Sequence, residues 1–238
     1  MREATTRDGI PVIIKRVKHG AEVDILKYLG SHGGVSNHII ELLDVLDFDV
    51  HWLIIMPDYT PLRQCSHRLS EARTVYSLQK QFLEGVIFLH TKGVAHLDLK
   101  PDNVVIDFGQ KSKGRNQGAL YIIDFGIAEM DVVISTVMED VCGTRGWTAP
   151  EVQEGRRWSP LMADRWACGR MLLYLGEQIK WTSRVQDLVR KLMEDDPQAR
   201  PSLEVILEGF APSERHIGNV GYQDVHVPTP ARRLVTTH

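Results

Sequence analysis

The clearest patterning lies in alternations of apolar and polar residues that change period along the chain. From Ile10 to Val17 a β-branched run enters through an Asp8-Gly9 turn and ends in basic residues, which predicts a strand. Ala21 to Leu29, apolar at Val23, Ile25, Leu26 and Leu29, has the period of a short helix. Strand-like runs follow near Ile39 to Leu46 and Trp52 to Met56. Leu69 to Lys92 returns to helical spacing at Val75, Leu78, Phe82, Val86, Ile87 and Leu89, with Ser70-Glu71 near its start and Gly93 just beyond its end. Two short strands, Asn103 to Asp107 and Leu120 to Ile123, flank the polar turn QKSKGRNQG and predict a hairpin. From about Trp158 to Leu207 the pattern is helical, and from Ala211 to His238 it has no period, so the tail is expected to be mobile.

Strands first and helices later predict an α+β fold of two lobes. A small β-rich lobe would cover residues 1–59, a larger helical lobe residues 60–210, and the tail residues 211–238. A cleft between such lobes is a usual place for a ligand. Composition adds exclusions: a formal charge of -3 gives no broad attraction to nucleic acid or an anionic membrane surface. No apolar run reaches the length of a bilayer span, and Cys65, Cys142 and Cys168 have neither zinc nor disulfide-frame spacing. The expectation is therefore an intracellular protein, cytoplasmic or nuclear, acting on partners through defined sites.

The candidate chemistry is concentrated in His96-Leu97-Asp98-Leu99-Lys100-Pro101-Asp102-Asn103, then Asp124-Phe125-Gly126, then Ala149-Pro150-Glu151. Phosphoryl transfer needs a carboxylate to orient the acceptor hydroxyl, a cation near the moving phosphate, and oxygen ligands for Mg²⁺. One loop and one hairpin end offer all three: Asp98 as the orienting base, Lys100 as the cation, and Asn103 with Asp124 as metal ligands.

With these segments in this order the sequence resembles the eukaryotic protein kinase family, whose pattern is HRDLKxxN, DFG and APE. The resemblance covers roughly Arg2 to Phe210 and implies a protein-kinase-like two-lobe fold, ATP and Mg²⁺ as cofactors, and a protein substrate. It makes Val12-Ile13-Ile14-Lys15 the strand whose lysine holds the α- and β-phosphates, with Glu22 as its ion-pair partner. Met56 would be the gatekeeper, Pro57, Asp58 and Tyr59 the hinge facing adenine, and Val105 the adenine floor. His96 would pack under Phe125, completing with Leu26 and Leu42 an apolar stack between the lobes. Gly143-Thr144 and Lys100 match the serine/threonine pattern, Asp164 opens the D-x-W-x-x-G helix, and Glu151 with Arg200 would form a buried salt bridge. The GT and APE segments and that helix speak against a small-molecule phosphotransferase.

The departures carry expectations of their own. No G-x-G-x-x-G precedes Lys15, and Met1 to Ile14 leaves room for at most one strand and a turn, so the β-rich lobe is expected to be incomplete and ATP less enclosed. Ile13 stands where the family usually has alanine above adenine, and the short step from Lys15 to Glu22 puts their pairing in question. The span from Gly169 to Arg200 is also short, which suggests a reduced substrate-docking region. Leu97 replaces the arginine that grips a phosphorylated activation loop, so Ser135 and Thr136 are expected to matter little as phosphorylation sites. A serine/threonine kinase is the first expectation, and a non-catalytic scaffold that keeps the fold is the alternative.

Overall fold

A computed structural model describes residues 1–18, 20–32, 37–48, 50–109 and 118–210, with residues 66–68 described by backbone alone. The expected mobile tail and the polar turn at 110–117 lie outside the described residues.

Strand β1 (Arg2–Thr5) turns at Gly9, whose φ of 79° is the left-handed value that a tight turn asks of glycine, into β2 (Pro11–Val17). Helix α1 (Ala21–His32) follows, then β3 (Asp44–Phe48) and β4 (His51–Pro57). These strands form one antiparallel sheet in the order β1-β2-β4-β3. Cross-strand partners share a face, so the pairs Glu3↔Ile13 and Ile13↔Met56 and the i+2 neighbour Lys15 all project from the same side. Helix α1 opens with Glu22 and Asp24, carboxylates that suit the positive end of its dipole, and buries Val23, Ile25, Leu26 and Leu29.

The run at Ile39 to Leu46 is only partly a strand of this sheet, which begins at Asp44. The earlier residues are drawn elsewhere: the amide of Ile122 donates to the His38 carbonyl at 2.8 Å, and the Ile40 amide donates to the Ile122 carbonyl at 3.1 Å. A β-branched pair is therefore spent on joining the lobes, which periodicity within one segment does not reveal.

The second lobe begins with β5 (Thr60–Pro61) and a 3-10 turn (Leu62–Arg68), neither of which stands out in the sequence. Helix α2 (Ala72–Thr91) buries Val75, Leu78, Phe82, Leu83, Val86 and Leu89, and ends one residue before Lys92. Each such side chain withdrawn from water contributes about 1.5–3 kcal/mol. A short 3-10 turn (Pro101–Asn103) leads into β6 (Val104–Asp107), which pairs with β5 and with β7 (Ala119–Ile122). Asn103, expected to open the strand, ends the turn instead. The helical region resolves into α3 (Pro150–Gln153), α4 (Pro160–Gly176), α5 (Ser183–Leu192) and α6 (Leu203–Gly209), with a 3-10 turn (Pro197–Ala199) before the last.

One apolar core runs from Val17, Val23 and Ile54 of the first sheet through Phe125 to Phe82 and Leu172 between the helices. A smaller cluster of Ala95, Leu97, Val132, Ala149, Val152, Trp158, Leu161 and Ala163 lies beside it. The α+β class and the strand-then-helix order expected from the sequence are both present.

Candidate active site

The loop at residues 96–103 is held in place by one buried carboxylate. Asp164, in the first turns of α4, accepts the amide of His96 at 2.8 Å on Oδ2 and that of Leu97 at 2.9 Å on Oδ1. His90 approaches the same Oδ2 through Nε2 at 3.1 Å. These bonds help hold Leu97 in the left-handed region, at φ 65°, which a leucine adopts only at a cost of about 1–3 kcal/mol. The buried His96 ring accepts the Asp98 amide on Nδ1 at 3.2 Å, so its Nε2 carries the proton toward the Ile123 carbonyl, 3.0 Å away. That ring lies 5.0 Å from the Phe125 ring, and Leu26 and Leu42 belong to the same apolar core as Phe125.

The fixed loop presents Asp98 at the centre of a polar cluster. Lys100 Nζ donates to Asp98 Oδ2 at 2.6 Å and to Thr144 Oγ1 at 2.7 Å, while that hydroxyl donates to Asp98 Oδ1 at 2.7 Å. Asn103 donates from Nδ2 to the Asp98 carbonyl at 2.9 Å and to Oδ2 at 3.0 Å, which leaves its amide oxygen as an acceptor. Gly143 makes this possible. At φ 82° a Cβ there would sit 2.8 Å from the Leu97 carbonyl, so only glycine lets the two loops close on each other. An acceptor hydroxyl that displaced Thr144 from Oδ1 would find a base, with the lysine beside it.

A second cluster joins the lobes. Lys15 Nζ contacts both oxygens of Glu22, at 2.7 and 2.8 Å, and Oδ1 of Asp124 at 2.6 Å. The short step from Lys15 to Glu22 therefore does not prevent their pairing: Glu22 lies in the first turn of α1 and reaches back to β2. Glu22 also accepts the Phe125 amide at 3.2 Å. Asp124 stands at φ 67°, with the Gly126 amide 3.4 Å from its Oδ1. Burial pushes the Asp124 carboxyl up, but the hydrogen bond and charge of Lys15 outweigh it and hold the group below the usual range. With its folded value depressed, the pairing stabilises the fold above the ordinary carboxylate range and is lost as pH falls through the folded value.

The two clusters meet at the ends of neighbouring strands, where the Ile123 amide donates to the Asn103 carbonyl at 3.0 Å. On the Lys15 face of the first sheet, Met56 is buried and Ile13 lines an open concavity of about 390 Å³ with Met1, Arg2 and Glu3. In the hinge, Pro57 has no N–H, and the Asp58 amide is spent on the Pro11 carbonyl at 3.2 Å. Tyr59 stacks on Tyr121 at 5.2 Å, and burial, with Tyr121, Asp107 and Glu41, pushes its hydroxyl up to about 12. Val105 is buried on β6, across from Pro61 and Tyr121.

Glu151 and Arg200 lie away from both clusters and form the expected buried pair, Nη1 to Oε1 at 2.6 Å and Nη2 to Oε2 at 2.8 Å. The guanidinium also donates to the carbonyls of Met162 and Glu194, each at 2.9 Å.

The segment from Asp124 to Glu151 is fastened to the larger lobe by backbone pairings. Ala95 and Glu129 exchange backbone hydrogen bonds, the Val132 amide donates to the Gly93 carbonyl, and Met138 pairs with Trp158. Leu97 turns into the apolar cluster with Val132 and Trp158, where an arginine's charge would be stranded. Ser135 is exposed, and Thr136 uses its hydroxyl to accept the Val133 amide at 2.9 Å. Ser135→Ala and Thr136→Ala are each expected to leave any phosphate-transfer activity within about tenfold of the parent, a difference of about 1.4 kcal/mol in barrier. A larger loss in a phosphate-incorporation assay would mean that a hydroxyl there is modified or engaged.

Three interactions of the site were not legible in the sequence. Arg63, in the 3-10 turn after the hinge, binds both oxygens of Asp102 at 2.5 and 2.7 Å. His90 looks like an ordinary helix-end residue until it meets Asp164, and Arg170 lies over the Trp147 ring at 5.6 Å. Their partners are distant in sequence, so no local spacing signals them.

This arrangement defines a two-lobed fold with a lysine, two aspartates and an asparagine gathered where the lobes meet. The protein kinase domain family matches residues 12–184. The chain belongs to the protein kinase family. It is 38% identical over 106 residues to CBL-interacting serine/threonine-protein kinase 8 of Arabidopsis thaliana, covering 44% of this chain and 21% of that protein. It is 30% identical over 179 residues to sperm motility kinase Z of Mus musculus, covering 70% of this chain and 33% of that protein. The matches to these curated relatives span about a fifth to a third of the relatives' own lengths.

Proposed function

We propose that this protein is a Mg·ATP-dependent serine/threonine protein kinase acting on a protein hydroxyl. The observation that carries the reading is the joining of the Asp98–Lys100–Asn103–Thr144 cluster to the Lys15–Glu22–Asp124 cluster through adjacent strand ends.

The donor set suits the implied ion. Among the described residues no group of three or more His, Cys, Asp or Glu could cage a metal, while one carboxylate at Asp124 and one amide oxygen at Asn103 are a set of the kind that Mg²⁺ accepts when phosphates and water complete its shell. Mg·ATP, when bound, supplies the phosphoryl group and neutralises its charge. Lys15 would exchange part of its contact with Asp124 for phosphate oxygens, with Glu22 keeping the amine in place. Asp98 would orient the acceptor hydroxyl and take its proton, and Lys100 would steady charge on the transferred group. Met56, Val105 and the hinge from Pro57 to Tyr59 would bound the adenine. The serine/threonine in the name of the Arabidopsis thaliana relative and Thr144 beside Asp98 support that acceptor class.

The competing reading is a scaffold without catalysis, favoured by Ile13, whose branched side chain shares the Lys15 face where adenine would lie. A thermal-shift titration separates them, because a ligand that binds only the folded state raises its stability by about 2.7 kcal/mol at a hundredfold excess over Kd. Millimolar Mg·ATP is expected to raise the Tm of the parent and not that of Lys15→Met. No rise in the parent would favour the scaffold. A cytoplasmic or nuclear location is proposed alongside, supported by the cysteine pattern. Among the described residues no helix is long and apolar enough to cross a membrane.

A further inference from the structure

Beside Asp98 lies a face whose charges the catalytic reading leaves unused. The Trp147 amide donates to the Thr144 carbonyl at 2.9 Å, which fixes the Trp147 backbone in a turn just beyond the residue that touches Asp98. The Arg170 guanidinium lies 5.6 Å from the Trp147 ring, and Tyr174, one turn further along α4, meets Trp147 edge-on at 6.0 Å. Arg170 Nε is buried with no hydrogen-bond acceptor, and none of the ion pairs among the described residues includes this guanidinium. A cation packed on an indole but lacking an anion is poised for one.

The neighbouring carboxylate is already committed. Asp102, in the turn that follows Lys100, is gripped by Arg63 through both oxygens. Tyr174 feels the charges of Arg63, Asp102 and Glu177, so the ion pair and the aromatic stack border one surface. Of the two guanidiniums placed there, Arg63 already holds a carboxylate, whereas Arg170 holds none among the described residues.

We infer that this face is a specificity subsite for an anionic side chain of the protein acceptor, a carboxylate or a phosphorylated residue, with Arg170 as the contact and Trp147 and Tyr174 as its walls. The forked guanidinium suits either anion bidentately. A basic residue in the same place finds Asp102 taken by Arg63 and Arg170 opposed to it. The inference rests on the phosphotransfer reading for its turnover assay, but not for its binding assay.

The test uses serine peptides on an alanine-glycine background, with one glutamate or one lysine scanned through the positions flanking the serine. The best glutamate peptide is expected to exceed its lysine counterpart by about tenfold or more in kcat/KM, the difference lying in KM. Fluorescence anisotropy without nucleotide should rank the same peptides alike. Arg170→Gln should bring the ratio to within about twofold by raising KM for the glutamate peptide, Arg170→Lys should keep part of it, and Arg63→Ala should release Asp102 and improve the lysine peptides. Equal binding and turnover of both peptides by the parent would overturn the inference, as would a ratio that survives Arg170→Gln. If no peptide is phosphorylated but the glutamate preference in binding persists and depends on Arg170, the kinase reading falls and the subsite stands.

Discussion

Asp98→Asn is expected to lower phosphate transfer by about a thousandfold, within the range of 10²–10⁴ that a positioned general base contributes. The parent carboxylate receives Lys100 and Asn103 on one oxygen and Thr144 on the other, all of them donors. An asparagine keeps the shape but presents an N–H₂ where one donor must still be met, and it cannot take the acceptor's proton. The cluster is only part-buried, so water can satisfy the displaced donor and the melting temperature should change little. Radiolabel incorporation into a generic serine acceptor, followed with a thermal melt, checks both statements. Equal incorporation by mutant and parent would show that the signal comes from another enzyme or that Asp98 is not the base.

The second large effect concerns stability rather than rate. Glu151→Gln should destabilise the fold by about 3–5 kcal/mol, because the Arg200 guanidinium it leaves behind is buried and its charge is then balanced only by carbonyl dipoles. For a chain of this size that corresponds to a fall in Tm of roughly 6–20 °C. Glu151→Leu combined with Arg200→Met removes both charges and should recover part of the loss. A Glu151→Gln protein that melts within about two degrees of the parent would mean that the pair is hydrated rather than sealed.

Much of this organisation was written in local pattern. Periodicity at Val75 to Leu89 gave α2 almost to its ends, and the β-branched run before Lys15 gave β2. The ordered motifs singled out Asp98, Lys100 and Asn103, which lie in one loop and meet in one cluster, and Asp124, which a backbone bond at the neighbouring Ile123 brings beside that loop. The sequence pattern was less informative where a segment's fate is decided by a distant partner. Ile39 and Ile40 look like the start of a strand and serve as a junction with Ile122. The short step from Lys15 to Glu22 left their pairing open, and a helix beginning at Ala21 brings the carboxylate back to the lysine. Arg63 and Arg170 gave no signal at all, since an arginine in a turn or mid-helix is ordinary until its neighbours in space are known.

The backbone bond between Asn103 and Ile123 has a mechanical consequence. Because β6 and β7 belong to a single ladder, the spacing between the base loop and Asp124 is set by a rigid ruler inside the larger lobe. The smaller lobe meets that ruler at Asp124 through the Lys15 ammonium, at Phe125 through Glu22, and at Ile122 through the backbone of His38 and Ile40. A shift of one half against the other has to part those contacts, while the interval between the Asp98 loop and Asp124 is kept by the ladder.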